Sequence, residues 1–154
     1  FYPAAVRVGY DPEVILAKLR EMIRTKAATN GFIRGNPHGV ENCSIVPNTI
    51  NEMLCMGHKG VLRLFSNWPR DKDARFANLR VWGAFLVSSE LKGGVVRQVG
   101  IHSEKGRPCT LVNPWPGKSI DVFRDGKKVE TLLGDRVVLQ TEAGATFSLV
   151  SSGS

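Results

Sequence analysis

From Val61 to Val150 the sequence runs as short β-favouring stretches separated by turn residues, and that punctuation restricts the possible fold more than any other feature. The spacing predicts strands near 61–66, 77–82, 84–90, 95–102, 108–113, 118–123, 128–132, 136–141 and 145–150. Gly93-Gly94 and Asp125-Gly126 supply the residues that a tight hairpin turn requires, and Gly134-Asp135 and Ala143-Gly144 mark two further turns. Such connections predict antiparallel neighbours, hence an all-β sandwich or barrel.

Before Gly60 the apolar period is that of a helix. In DPEVILAKLREMIRTKAATNG, Asp11 is placed to cap, Pro12 suits the first helical position, and Asn30-Gly31 offers a left-handed stop. Ile15, Leu19, Met22 and Ile23 recur at three- and four-residue spacing and form one apolar stripe, with Arg20, Arg24 and Lys26 mostly off it. After the loop FIRGNPHGVEN, the stretch SIVPNTINEMLCMGHKG predicts a second helix, with Pro47 in its first turn, Ile50, Met53 and Leu54 on its apolar side, and Gly60 as its stop. The expected organisation is therefore a helical segment over residues 1–60, an antiparallel β-sandwich over 61–150 and a flexible tail, SSGS, over 151–154. Two amphipathic helices do not close a layer by themselves. Either they dock on one sheet face, or they are the last turns of a larger helical domain.

Composition narrows the function classes. Hydrophobic content of 42% and a charged fraction of 23% are those of an ordinary globular domain, and no apolar stretch approaches the ~20 residues that span a bilayer. The opening residues, FYPAAVRVGYDPE, carry neither a basic n-region nor an apolar h-region, so any export signal is expected to precede them. The net charge is +7, but residues 1–60 hold seven Lys/Arg against five Asp/Glu and residues 61–154 hold fourteen against nine, with the signs interspersed. Nucleic-acid binding draws on clustered cations, so this pattern predicts a solvated surface and no nucleic-acid partner. Cys43, Cys55 and Cys109 cannot all pair internally, and none lies two to four residues from another as zinc ligand pairs commonly do, so packed thiols and no metal are expected. No serine sits in a G-x-S-x-G context, and Gly93-Gly94 lacks the strand-to-helix setting of a phosphate loop; no cofactor is expected.

Residues 40–69, VENCSIVPNTINEMLCMGHKGVLRLFSNWP, present an ordered series: Glu41-Asn42, then Glu52-Met53-Leu54, then Gly60-Val61-Leu62-Arg63-Leu64, then Trp68-Pro69, then Leu79-Arg80-Val81-Trp82-Gly83-Ala84-Phe85 beyond it. This series resembles the junction between catalytic barrel and C-terminal sandwich in α-fucosidase-like glycoside hydrolases built on an (α/α)6 toroid. The similarity covers roughly residues 1–115 and fades over the final strands. It implies a fold that is mainly β with N-terminal helices: an antiparallel β-sandwich preceded by two helices left from the toroid. It also implies a periplasmic or extracellular parent enzyme.

In that family the position matching Glu41 is an aspartate, in a D-G-N-like context, belonging to the base machinery of an inverting hydrolase. Glu41 is thus the implied catalytic carboxylate, set one methylene further from the backbone, with Asn42 orienting water or the carboxylate. His38, in the turn Asn36-Pro37-His38-Gly39, is a candidate for hydrogen-bonding a sugar hydroxyl. An inverting glycosidase needs a second carboxyl group about 6.5–9.5 Å away as general acid. By resemblance that acid belongs to an earlier barrel segment, so the chain alone is expected to be inactive. The implied partners are a glycan substrate reached through the parent enzyme and the parent's own N-terminal barrel, with self-association of the truncated helices if the barrel is absent.

Structural readings stand beside these. Glu41 suits a helix N-terminus through the dipole alone, Asn42 suits an N-cap or Asx turn, and His58 is expected to cap the second helix through its carbonyls. Trp68, Trp82 and Trp115 are expected to pack rather than to stack on sugars, the first and last as turn or domain-seam anchors. The alternative function is a non-catalytic carbohydrate-binding or structural β-sandwich.

Overall fold

A computed structural model describes residues 2–34 and 40–153, and of residues 40–42 the backbone alone. Over these residues the chain is mainly β with N-terminal helices. It forms helices α1 (Tyr2–Arg7), α2 (Pro12–Lys26) and α3 (Val40–Leu54), and strands β1 (Cys55–Met56), β2 (Val61–Leu64), β3 (Ala74–Val81), β4 (Phe85–Lys92), β5 (Val95–Ser103), β6 (Cys109–Val112), β7 (Ile120–Arg124), β8 (Lys127–Leu132), β9 (Arg136–Leu139) and β10 (Thr146–Ser151).

α2 begins as its sequence dictates. Asp11 Oδ1 accepts hydrogen bonds from the amides of Glu13 (2.8 Å) and Val14 (3.4 Å), and Pro12 fills the first turn. It ends at Lys26, earlier than expected, with Ala27 in extended backbone. Asn30 and Gly31 instead close a small turn in which Ala27 bridges Ile33 and Asn30 Oδ1 accepts from the Phe32 amide. The buried stripe is Ile15, Leu16 and Leu19; Ile23 is exposed, so Leu16 takes the inward position expected of it.

α3 starts earlier and stops earlier than the sequence suggests. Pro47 lies inside the helix rather than in its first turn, and the chain leaves the helix at Leu54, where Cys55 and Met56 pair with Leu64 and Arg63 of β2. Gly60 closes a 3-10 turn over His58–Gly60 instead of the helix itself. The six-residue α1 was not expected at all.

The strands form two sheets, in the orders β1-β2-β6-β9 and β3-β4-β5-β10-β7-β8. Every pairing is antiparallel except β2 with β6, which run parallel through Val61 with Thr110 and Leu62 with Leu111. The turns at Gly93-Gly94 and Asp125-Gly126 join paired neighbours, β4 to β5 and β7 to β8. The turns at Gly134-Asp135 and Ala143-Gly144 do not: β9 pairs with β6, while β10 sits between β5 and β7. In those two places the chain changes sheets.

Burial alternates along most strands, though not along β8, which is exposed over Lys127–Thr131, and the inward sets of both sheets enter one buried cluster. Leu62, Leu64, Leu111 and Leu139 come from the smaller sheet, and Phe85, Val87, Ile101, Ile120, Val122 and Leu149 from the larger. Each such side chain removed from water contributes about 1.5–3 kcal/mol. A second cluster joins Ala5 and Val6 of α1, Ile15, Leu16 and Leu19 of α2, Met53 of α3 and Met56 of β1. Among the described residues no helix is long and apolar enough to cross a membrane.

Candidate functional site

Glu41 and Asn42 enter the first turn of α3 by their backbone, but their side chains, and His38 entirely, lie outside the described residues. What the structure does build is a cleft of about 540 Å³ further along the same helix, bounded by α1, by the last turns of α3, by the Gly57–Lys59 turn and by the end of β3.

Each wall follows from local sequence. Asn48, Asn51 and Glu52 recur at three- and four-residue spacing, so α3 presents them together, while Met53 turns to the buried side. Across the cleft Arg7 of α1 grips Glu52 with both arms of its guanidinium: Nε donates to Oε2 at 3.2 Å and Nη2 donates to Oε1. The Glu52 carboxylate holds the Arg7 guanidinium pKa above its ordinary value, first by hydrogen bonding and then by charge.

On the opposite wall, Arg80 is fixed in the same manner by Glu104, with Nη2 donating to Oε1 at 2.8 Å and Nη1 to Oε2. The pairing lowers the pKa of Glu104 and raises that of Arg80. Two of the cleft's cations are therefore already neutralised. His58 and Lys59 reach its rim from the turn after β1, and with Arg7 they separate it from a second hollow of about 470 Å³ that contains Arg63 and Ser66.

Trp82 departs from its expected packing role. It stands at the turn between β3 and β4 and is 70% exposed. Its six-membered ring lies against Gly60, where a Cβ would come 3.0 Å from Cζ3. Gly60 also has φ +71°, so that turn both needs a glycine and leaves room for the indole. The other two tryptophans behave differently. Trp115 is buried, its Nε1 donating to Val96 O at 2.7 Å, and Trp68 is half-buried, its Nε1 donating to Lys72 O at 3.0 Å. His58 makes no hydrogen bond to the helix carbonyls it was expected to cap, among the described residues; it lines the cleft instead.

Chemically the cleft offers hydrogen-bonding side chains beside an exposed indole. Its one carboxylate among the described residues is Glu52, which is tied to Arg7, and no second described acid lines the cleft to form an acid–base pair with it. Among the described residues no group of three or more His, Cys, Asp or Glu is placed to hold a metal ion. Nothing in the sequence singled out Arg7, Asn48 or Asn51; Glu52 figured only as part of a motif, and for Trp82 core packing was expected over sugar stacking. The available signal was Trp82-Gly83-Ala84, an aromatic beside turn-forming residues at a strand end. No protein-family model matches the chain, and no curated protein does.

Proposed function

We propose that the chain is the closing part of an α-fucosidase-like glycoside hydrolase. In this reading the helices complete one wall of an (α/α)6 toroid, and the strands form an antiparallel β-sandwich that braces it. Glu41 serves as the carboxylate of the base machinery, Asn42 and His38 assist at the substrate, and the parent acts outside the cytoplasm on a glycan. One observation carries the reading. The first two helices bury one apolar side against Met53 and Met56, yet Val14 and Ile23 of α2 remain exposed, as do Val8, at 80%, and Tyr10 in the turn that joins α1 to α2. Tyr2, Ala5, Tyr10, Val14 and Ile15 line an apolar hollow of about 280 Å³. Helices with apolar residues on two sides suit a layer with neighbours on both, as in a barrel wall.

The test is hydrolysis of aryl glycosides and oligosaccharides by the full-length parent, wild type against Glu41→Gln. Loss of the catalytic base costs about 10²-fold or more in kcat while folding is preserved, and proton NMR of the released sugar shows inverted anomeric configuration. Undiminished turnover in the variant rejects Glu41 as the base. The alternative, a non-catalytic carbohydrate-binding module, is favoured by one observation, the exposure of Trp82.

A further inference from the structure

We propose that the cleft between α1, α3 and the β3–β4 turn is a binding subsite for an uncharged oligosaccharide, with Trp82 as the stacking platform. The inference shares only the ligand class with the reading above and does not need Glu41 to be catalytic. Asn48 and Glu52 lie seven and eleven residues beyond Glu41, roughly 10 and 16 Å along the helix axis at about 1.5 Å per residue.

Three features point to a sugar. A pyranose has apolar C–H faces and a polar rim. Trp82 offers a broad apolar surface, 70% exposed and supported from behind by the Gly57–Gly60 turn, where the cost of exposing it to water is relieved by a stacked ring. Around it stand planar groups able to make paired hydrogen bonds to neighbouring hydroxyls: the amides of Asn48 and Asn51, the Glu52 carboxylate and the Arg7 and Arg80 guanidiniums. The charged members of this set are held in place, because the Arg7–Glu52 and Arg80–Glu104 pairs are both two-pronged. The same pairs disfavour an anionic ligand, leaving Lys59 as the one lining Lys or Arg without an ion pair among the described residues. Glu52 and Glu104 occupy the two guanidiniums and would repel a phosphate, sulfate or carboxylate approaching them. The cleft of about 540 Å³ has room for a disaccharide-sized ligand.

The experiment is acrylamide quenching of tryptophan fluorescence in the full chain, titrated with neutral cello-, xylo- and fucosylated lacto-oligosaccharides. Trp82 dominates quenching because Trp115 is buried and Trp68 half-buried. At least one oligosaccharide is expected to shield the indole saturably, with an affinity that stays nearly constant between about 50 and about 300 mM NaCl. Trp82→Ala weakens binding about tenfold or more, as loss of an aromatic stacking partner does, and Trp82→Phe restores most of it. That binding is followed for these two by calorimetry. Asn51→Ala, an exposed position on α3, weakens binding while leaving the thermal midpoint and the fluorescence readout intact. No shielding by any oligosaccharide, or equal binding by Trp82→Ala, overturns the proposal, and so does an affinity that falls steeply with salt. Hydrolysis by the parent is read separately, so the catalytic reading can fail while this one stands, or the reverse.

Discussion

Asp121 illustrates how a single side chain on β7 gathers three segments. Its Oδ1 accepts from Lys128 Nζ at 2.7 Å and Thr131 Oγ1 at 2.9 Å on β8, and from Ser152 Oγ at 2.7 Å just past β10. The Lys128 and Ser152 hydrogen bonds are the leading causes that hold its carboxyl at a pKa of about 2, against roughly 3.9 for an unfolded aspartate. A depressed carboxylate stabilises the fold at every pH above the unfolded value, and the contribution is lost as pH falls through the folded one. Urea unfolding of wild type and Asp121→Asn should therefore show the variant weaker from neutral pH down to about 4, with the gap closing between about 4 and 2. A gap that persists unchanged at about pH 2 would show the carboxylate's charge to be irrelevant. Cys55 and Cys109 are the contrasting case: burial pushes both thiols up to about 12, so they are packing groups. The sequence pointed to packed thiols through their odd number and wide spacing. It gave no hint of Asp121, because the three donors come from positions up to 31 residues away.

Among the elements, those whose ends are written in local chemistry were the ones legible in advance. The nine strands between Val61 and Ser151 fall close to their expected positions, since glycine-rich turns break the chain at those points. The start of α2 was legible for the same reason, through Asp11 and Pro12. Asp11→Ala should lower stability by about 1 kcal/mol, measured as a shift in the urea midpoint with unchanged slope; an unaltered midpoint would mean that water caps the helix equally well. Other boundaries depend on tertiary partners. Pro47 suggested a helix start, yet α3 begins seven residues earlier and continues through the proline, whose neighbours Ile50 and Met53 pack into the buried clusters. β1 is two residues long and exists only because β2 pairs with it, and the parallel β2–β6 pair joins segments that no local signal connects. The Trp82 cleft was hidden for the same reason, being assembled from α1, α3 and the end of β3.

At the scale of the whole molecule, the two buried clusters are unequal: the β cluster draws on both sheets, whereas the helical one rests on short segments of α1, α2, α3 and β1. Ile50 and Trp68 pack against both. Trp68 sits in the loop between β2 and β3, which also carries Lys72, ion-paired with Glu13 at the start of α2. That exposed pair adds little by itself, so the coupling between the clusters rests mainly on apolar contact through these two side chains. Removing the indole should therefore loosen the helices selectively. For Trp68→Ala, a half-buried case of a large-to-small change, a loss of about 2 kcal/mol is expected, concentrated in the helical cluster. Native-state hydrogen exchange reads this directly, because local opening is reported amide by amide. Amides of α1 and α2 should lose protection, while those of β5 and β10, at the centre of the larger sheet, keep theirs. Equal loss in β5 and β10 would mean that the helices and sheets unfold as one unit. Selective loss would mean that Trp68 is the tie through which the β core steadies α1 and α2, and with them the wall of the cleft that carries Arg7.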